Sequence, residues 1–266
     1  MTTNDEAASA PVFDVAALWR ADIITEFRLR GAERCAAASP APGFPQLLDS
    51  LLASLDPVGT RWLDVGGGLG GIASWLERTS AAQVVVIDPS ERSVIAARRL
   101  FPSLVVCVGT SDRLPVGDGS VDVVMLNGVV SLLDELAGLV VEAGRVLAQN
   151  GDVPVSDSWS ATNDKITVAP NTFHSLESFT ASWIEAGFGV RHVAIADTST
   201  GWWSSAATQV KDEIVVRHAN DAGFAQWHDD MCHIQSVIES GRIMAAGMLL
   251  VPSVEMEEVP TRRRPQ

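Results

Sequence analysis

Hydrophobic positions along the chain change period repeatedly, and the changes predict an alternating order of elements. Short, nearly continuous apolar runs at Trp62-Leu63-Asp64-Val65, Val84-Val85-Val86-Ile87, Leu104 to Val108 and Val121 to Leu126 read as strands buried on both faces. The segments between them are spaced helically, over 72 to 79 and then from Ser90, a residue suited to cap a helix, through Leu100. Repeated strand-helix units of this kind predict a parallel sheet with right-handed crossovers, an α/β fold whose ligands meet the carboxyl ends of the strands.

The flanks carry longer patterns. Phe13, Ala16, Leu18, Trp19, Ile23, Ile24 and Phe27 share one apolar stripe, Ala36 to Pro45 breaks the pattern, and Gln46 to Leu55 resumes as a helix. Two or three helices are therefore expected ahead of the sheet, and the first ten residues are expected to be loose. Ser131-Leu132-Leu133-Asp134 resembles a capping box, which predicts a helix over 131 to 148. A fifth strand, Val153 to Ser156, contains Pro154 and is expected to be short or bulged. Residues 157 to 173, with Asp157, Trp159, Asn163, Asp164 and Asn171, look too polar for core and suggest a mobile cover. A helix from His174 stops at Gly187, a sixth strand covers Val190 to Ala196, and a last strand over Ile243 to Val251 is expected to lie antiparallel beside it.

The stretch Asp64-Val65-Gly66-Gly67-Gly68-Leu69-Gly70-Gly71 ends the first strand and opens a helix. Glycines there allow the backbone to approach a ligand and to take positive φ. The next strand ends in Asp88, at about the spacing of a carboxylate that grips a ribose diol. Gly66, Gly68 and Gly71 fit the dinucleotide spacing, whereas Asp64, Gly66, Gly68 and Gly70 fit that for S-adenosylmethionine. Charge separates the two. A diphosphate seeks helix amides and is repelled by Asp64, while an ammonium and a sulfonium are drawn to it.

At these residues the chain resembles the class I S-adenosylmethionine-dependent methyltransferases, in the small-molecule branch that includes ubiquinone and menaquinone biosynthesis enzymes. The resemblance continues through Gly109-Thr110-Ser111-Asp112-Arg113-Leu114-Pro115, Gly119 to Asn127 and Gly144-Arg145-Val146-Leu147, and it spans about residues 60 to 157. It implies a Rossmann-like, seven-stranded, mostly parallel sheet with strand seven antiparallel, helices on both faces and a helical cap. It further implies S-adenosyl-L-methionine as cofactor, held by Asp64, Gly66, Gly67, Gly68, Gly70, Asp88, Pro89, Ser111, Asp112 and Asn127. Thr110 stands where the family usually has an acidic residue for the adenine amine, so Asp112 is the substitute expected to reach back. The division implied is one domain over 1–266: an N-terminal helical cap at 11–58, a cofactor-binding core at 60–198, a helical insertion over the acceptor pocket at 199–241 and the last strand at 242–254. The leading helices and the insertion would wall the acceptor, with Trp19, Trp159, Trp202 and Trp203 as candidate substrate contacts.

Composition narrows the acceptor. A formal charge of −14 opposes binding to a nucleic-acid backbone, and the basic run Arg262-Arg263-Arg264 reads as a solvated tail. No apolar run is long enough to cross a bilayer and no secretory leader opens the chain, so a cytoplasmic protein without a membrane partner is expected, as monomer or homodimer. Cys35, Cys107 and Cys232 are too scattered for a disulfide framework. If the acceptor must lose a proton, His228, Asp229 and His233 are the candidate catalytic residues, because Asp229 and His233 are spaced to pair on one helical face; no metal is expected. His174 and Asp157 are further candidate bases. Three other readings stay open: an enzyme of the same fold that cyclises or rearranges its substrate with the cofactor in a non-transfer role, a noncatalytic binding protein, and, from the shared glycine spacing, a dinucleotide oxidoreductase.

Overall fold

The computed structural model describes residues 12–53, 55, 59–199 and 201–253. The first ten residues and the Arg262 to Arg264 run lie outside that set, as does the side chain of Phe13. Three helices come first among the described residues: α1 (Val12–Glu26), α2 (Gly31–Ala38) and α3 (Gln46–Leu52). The alternating core follows as β1 (Arg61–Val65), α4 (Gly71–Ser80), β2 (Gln83–Asp88), α5 (Glu91–Leu100), β3 (Val105–Val108), β4 (Val121–Asn127), α6 (Ala137–Val146) and β5 (Leu147–Ser160). A hairpin of β6 (Ile166–Val168) and β7 (Asn171–Phe173) leads to α7 (Leu176–Glu185) and β8 (Phe188–Ile195), then α8 (Ser205–Arg217), α9 (Phe224–Glu239) and β9 (Ile243–Pro252).

The main sheet has seven strands in the order β3-β2-β1-β4-β5-β9-β8. β1 to β5 run parallel, and β9 is wedged antiparallel between β5 and β8. Alternation along each strand sends its side chains to two separate layers. Trp62, Val84, Val86, Val123 and Met125 pack with Ile72 and Leu76 of α4 and Val94 and Ala97 of α5. Leu63, Val65, Ile87, Val124 and Leu126 pack with Leu139 and Ala143 of α6 and Phe179 and Trp183 of α7. Burial on both sides explains why these strands read as unbroken apolar runs. Serine side chains cap α5, α7 and α8: Ser90, Ser175 and Ser204 accept from the amides of Ser93, Ser178 and Ala207.

Three local expectations are corrected. The helix expected over 131 to 148 is only Ala137–Val146, preceded by a 3-10 turn at Val130–Leu132, and Leu136 precedes α6 without a side-chain cap. The supposed capping box is used elsewhere, because the Ser131 amide donates to Asp157 Oδ2 and the Thr172 hydroxyl donates to Asp134 Oδ1. Tertiary partners displaced a local cap. Strand five is bulged, as one of the two expectations had it, and not short; it runs over 14 residues between β4 and β9, with Pro154 opposite Leu249. Its irregularity lies upstream, between the Val121 and Val123 pairings, and Gly151 permits it: a Cβ there would stand 2.7 Å from the Asp122 carbonyl oxygen.

Residues 157, 159, 160 and 171–173 are core and not the polar cover expected, while 161–165, with Asn163 and Asp164, are exposed. Asp157, Trp159 and Ser160 are buried in β5, and Asn171 to Phe173 are buried in β7. Polarity misleads here because the polar groups find partners inside. Trp159 belongs to the core, with no exposed surface, its Nε1 donating to the Ala246 carbonyl at 2.8 Å and its ring edge-on to Phe179. Trp159→Phe is therefore expected to lower unfolding stability by about 1–3 kcal/mol in a denaturant titration, through the lost indole volume and the orphaned carbonyl. Ligand affinity is expected to stay at the parent value, which a substrate contact would not allow.

Candidate active site

The carboxyl ends of β1, β2, β4 and β5 open on one cavity of about 910 Å³. At its floor β1 runs into the glycine turn, which folds back over β2 as the Gly66 and Gly67 amides donate to the Ile87 carbonyl at 2.7 and 3.3 Å. Gly66 takes φ +70°, and a Cβ on it would stand 2.5 Å from Val129 Cγ2. A Cβ on Gly67 would stand 2.5 Å from Asp64 Oδ2. Only glycine lets the turn lie this close to its neighbours.

Asp64 is buried beneath that turn, and neither carboxylate oxygen has a hydrogen-bond partner. Burial first, and the nearby Asp88 charge second, push its carboxyl up to about 7. An unpaired buried carboxylate is costly unless it is protonated or a cation joins it. Its linkage has a definite sign. Since the folded value is raised, native protein holds a proton that unfolded chain has released between about pH 4 and 7, so Asp64 makes stability fall as pH rises through that window. Chemical denaturation of ligand-free protein is expected to show a higher midpoint at pH 5 than at pH 8; equal midpoints at the two would remove this role.

Asp88 ends β2 and ties the turn to the following helix: Oδ2 accepts from the Gly68 amide at 2.8 Å and Oδ1 from the Ser90 amide at 2.9 Å. Pro89, Thr110, Ser111 and Asp112 line the same end of the cavity. Asn127 lines it from β4, its Oδ1 accepting from the Ser156 hydroxyl at 2.5 Å while its buried Nδ2 has no partner. Gly70 does not line the cavity. It sits at φ +74° ahead of α4 and allows Leu104 to approach, so its part is structural.

The far wall is apolar. Trp202 and Trp203 line it, joined by Trp227, Met231 and Ile234 of α9 and Phe173 of β7. Lys211 of α8 also lines it, with its ammonium 5.6 Å from the Trp203 ring centroid.

The other sequence-derived candidates lie elsewhere. The cavity-facing residues of α9 are Trp227, Met231, Ile234 and Ile238, one helical stripe, and His228, Asp229 and His233 project away from it. Asp229 and His233 are exposed, and His228 stacks on Phe224 at 5.4 Å. The expected catalytic group is thus not at the cavity. Trp19 stacks on His218 at 4.6 Å outside the lining, and His174 is buried with Nε2 2.7 Å from the Leu133 carbonyl oxygen.

Asp157 does line the cavity, but its acceptor capacity is taken. Val130 and Ser131 amides donate to Oδ2 at 2.8 and 3.2 Å, and the Ser158 amide to Oδ1 at 2.7 Å. Burial raises its pKa, and the bonds from Ser131, Ser158 and Val130 oppose that rise. Its role is to pin the 129–131 turn, and with it Val129, against Gly66. Arg20, Lys211, Asn171 and Trp227 were not legible as site residues. For Arg20 a signal existed: a cation interrupting the apolar stripe of Ala16, Ala17, Ile23 and Ile24 on α1.

Residues 63–154 match the model of a methyltransferase domain. The chain is 35% identical over 118 residues to a Mycobacterium tuberculosis protein named "Probable S-adenosylmethionine-dependent methyltransferase", covering 41% of each. It is 34% identical over 115 residues to the ubiquinone/menaquinone biosynthesis C-methyltransferase UbiE of Dinoroseobacter shibae, covering 40% of this chain and 46% of that protein. The matched stretch thus spans less than half the length of these curated relatives. In fold the chain is similar to the [4+2]-cyclase SpnF, with TM-score 0.69, 18% identity and coverage of 91% of this chain and 97% of that one. It is also similar to a Thiobacillus denitrificans S-adenosylmethionine-dependent methyltransferase in complex with S-adenosyl-L-homocysteine, with TM-score 0.60, 20% identity and coverage of 83% and 96%.

The residues present fit that cofactor. The orphaned Asp64 carboxylate would suit an ammonium, Asp88 would suit a ribose diol, and the turn at Gly66 and Gly67 leaves room that any Cβ would fill. Residues 63–154 match a methyltransferase domain and are similar to proteins named as S-adenosylmethionine-dependent methyltransferases.

Proposed function

We propose that the protein transfers a methyl group from S-adenosyl-L-methionine to a small, largely apolar acceptor. The observation that carries the acceptor class is the cavity itself: about 910 Å³, more than the cofactor needs, with Trp202, Trp203, Trp227 and Met231 forming its outer wall. In this reading 60–198 is the cofactor-binding core, 11–58 and 199–241 together cover the acceptor, and 242–254 completes the sheet. The charge of −14 supports keeping nucleic acid out of the partner set, and no helix among the described residues is long and apolar enough to cross a membrane.

When bound, the cofactor supplies a methyl carbon already activated by a sulfonium. What remains for the chain is to bind, orient and exclude water. Asp64 and Asp88 hold the two polar ends, the 129–131 turn braced by Asp157 shapes the passage between cofactor and acceptor, and the tryptophans dry the acceptor side. No histidine lines the cavity among the described residues, and Asp157 is engaged by three backbone amides, which supports an acceptor that is nucleophilic as it arrives; Asp112, Glu135 and Lys211 are among the other ionisable groups of the lining.

The test is incubation with S-adenosyl-L-methionine and a panel of neutral aromatic and terpenoid alcohols, amines and enols, with product mass and S-adenosyl-L-homocysteine release read together. A product heavier by one methyl group, formed in step with S-adenosyl-L-homocysteine, is the expected result. An isomer of the substrate with no cofactor consumed would instead establish the cyclising alternative. Tight cofactor binding with neither product would favour a noncatalytic role.

A further inference from the structure

Asn171 carries a polar atom that nothing in the fold answers. The residue is 7% exposed, and its Oδ1 is buried without a hydrogen-bond partner among the described residues. Strand phase turns the side chain toward the cavity: Asn171 and Phe173 of β7 line it, while Thr172 between them faces the other way and donates to Asp134 Oδ1 at 2.5 Å. A buried carbonyl oxygen left unpaired costs free energy, which a donor arriving in the cavity would offset.

A chain of bonds sets which way that amide points. Asp157 accepts from the Ser131 amide, and the Ser131 side chain is the largest of the influences that favour its charged form. A carboxylate only accepts, so the Ser131 hydroxyl gives its proton to Asp157 and turns a lone pair to Asn171. Asn171 must then present Nδ2, which donates to Ser131 Oγ at 3.2 Å, and its Oδ1 is left free. The unanswered atom is thereby an acceptor and not a donor.

Its surroundings say what kind of donor it takes. Phe173, on the same strand face, packs in one cluster with Ile234 of α9, and Trp202 and Met231 border that cluster. All four line the cavity. Among such neighbours an ammonium is disfavoured, and the Asp157 carboxylate is already engaged by three amides, whereas a neutral O–H or N–H needs no counter-charge. Deepening the methyl-transfer reading above, on which this rests, we propose that Asn171 Oδ1 receives a neutral O–H or N–H of the acceptor, so that the substrate class is an apolar molecule carrying such a donor. Asn171 then anchors the acceptor where the 129–131 turn meets the apolar wall.

Calorimetry on the full chain with S-adenosyl-L-homocysteine bound tests this with two matched pairs, 2-naphthol against 2-fluoronaphthalene and 1-indanol against indane. An apolar wall alone favours the member without the hydroxyl. The parent protein is expected to bind the hydroxyl member roughly 3- to 10-fold more tightly, the range for a neutral hydrogen bond. Asn171→Leu is expected to reverse that preference while binding S-adenosyl-L-homocysteine and the hydroxyl-free members as well as the parent does. Ser131→Ala, which lets the amide turn over, is expected to lose part of it. Equal weakening of both members in Asn171→Leu would mark a structural residue and overturn the proposal. So would a preference unchanged by that substitution, or a parent that binds S-adenosyl-L-homocysteine but neither hydroxyl member; both results leave the cofactor reading standing. If the parent does not bind S-adenosyl-L-homocysteine, the cofactor reading itself fails and the proposal with it.

Discussion

Replacing Asp88 with alanine is expected to weaken S-adenosyl-L-homocysteine binding by at least roughly 100-fold. Two effects act together. The substitution removes a charged acceptor for two ribose hydroxyls, each such bond being worth about 1.5–3 kcal/mol. It also frees the Gly68 and Ser90 amides, which Asp88 holds at 2.8 and 2.9 Å and which fix the glycine turn relative to β2. Calorimetry on Asp88→Ala and Asp88→Asn separates the two, since asparagine keeps an acceptor for one amide but loses the charge. An affinity for Asp88→Ala within a few-fold of the parent would take the ribose away from this residue.

The second large effect is expected at Gly67. A Cβ there would lie 2.5 Å from Asp64 Oδ2 and 2.7 Å from Val86 Cγ1, and neither atom is the far end of a flexible chain. Gly67→Ala must therefore push the turn into the cavity or drive Asp64 from its place, and either outcome removes the cradle. Binding is expected to fall by roughly 100-fold or more, since both the ammonium partner and the approach of the backbone are lost. Gly68 is the control. Its φ is +54°, yet a Cβ there would meet nothing within 4 Å, so Gly68→Ala carries only a left-handed backbone cost of about 1–2 kcal/mol. Unchanged far-ultraviolet dichroism in both variants, with affinity lost far more at Gly67, is the expected pattern; equal losses would show that crowding against Asp64 is unimportant.

The parts of this molecule that were legible in sequence are those where local chemistry and tertiary demand agree. Strands buried on both faces give unbroken apolar runs, so β1, β2 and β4 stand where Trp62, Val84 and Val121 mark them. Ser90 caps α5 as its position predicts, its hydroxyl accepting from the Ser93 amide. The glycine turn and Asp88 were legible for the same reason, since close backbone packing at Gly66 and Gly67 and the bond from the Gly68 amide to Asp88 restrict residue type there.

Legibility failed where a polar group was claimed from a distance. Ser131 and Asp134 form a good capping box in isolation, but β5 and β7 take both. Trp159 and Asn171 looked exposed beside polar neighbours, and the indole instead finds a carbonyl on β9. On α9 the histidines drew attention for their chemistry, yet helix phase was decisive: the apolar stripe from Trp227 to Ile238 faces the cavity, and His228, Asp229 and His233 cannot share it. Arg20 shows the converse, a charge set among small apolar residues of one stripe and facing inward.

The central claim is that a buried, unpaired Asp64 selects a sulfonium amino acid over a diphosphate at the glycine turn. Calorimetric titration of the full chain with S-adenosyl-L-homocysteine and, separately, with NAD tests it most directly. The account predicts saturable binding of the former, tightening as pH rises through about 7 while Asp64 gives up its proton, and no heat from the latter. Saturable binding of NAD with S-adenosyl-L-homocysteine excluded would contradict it.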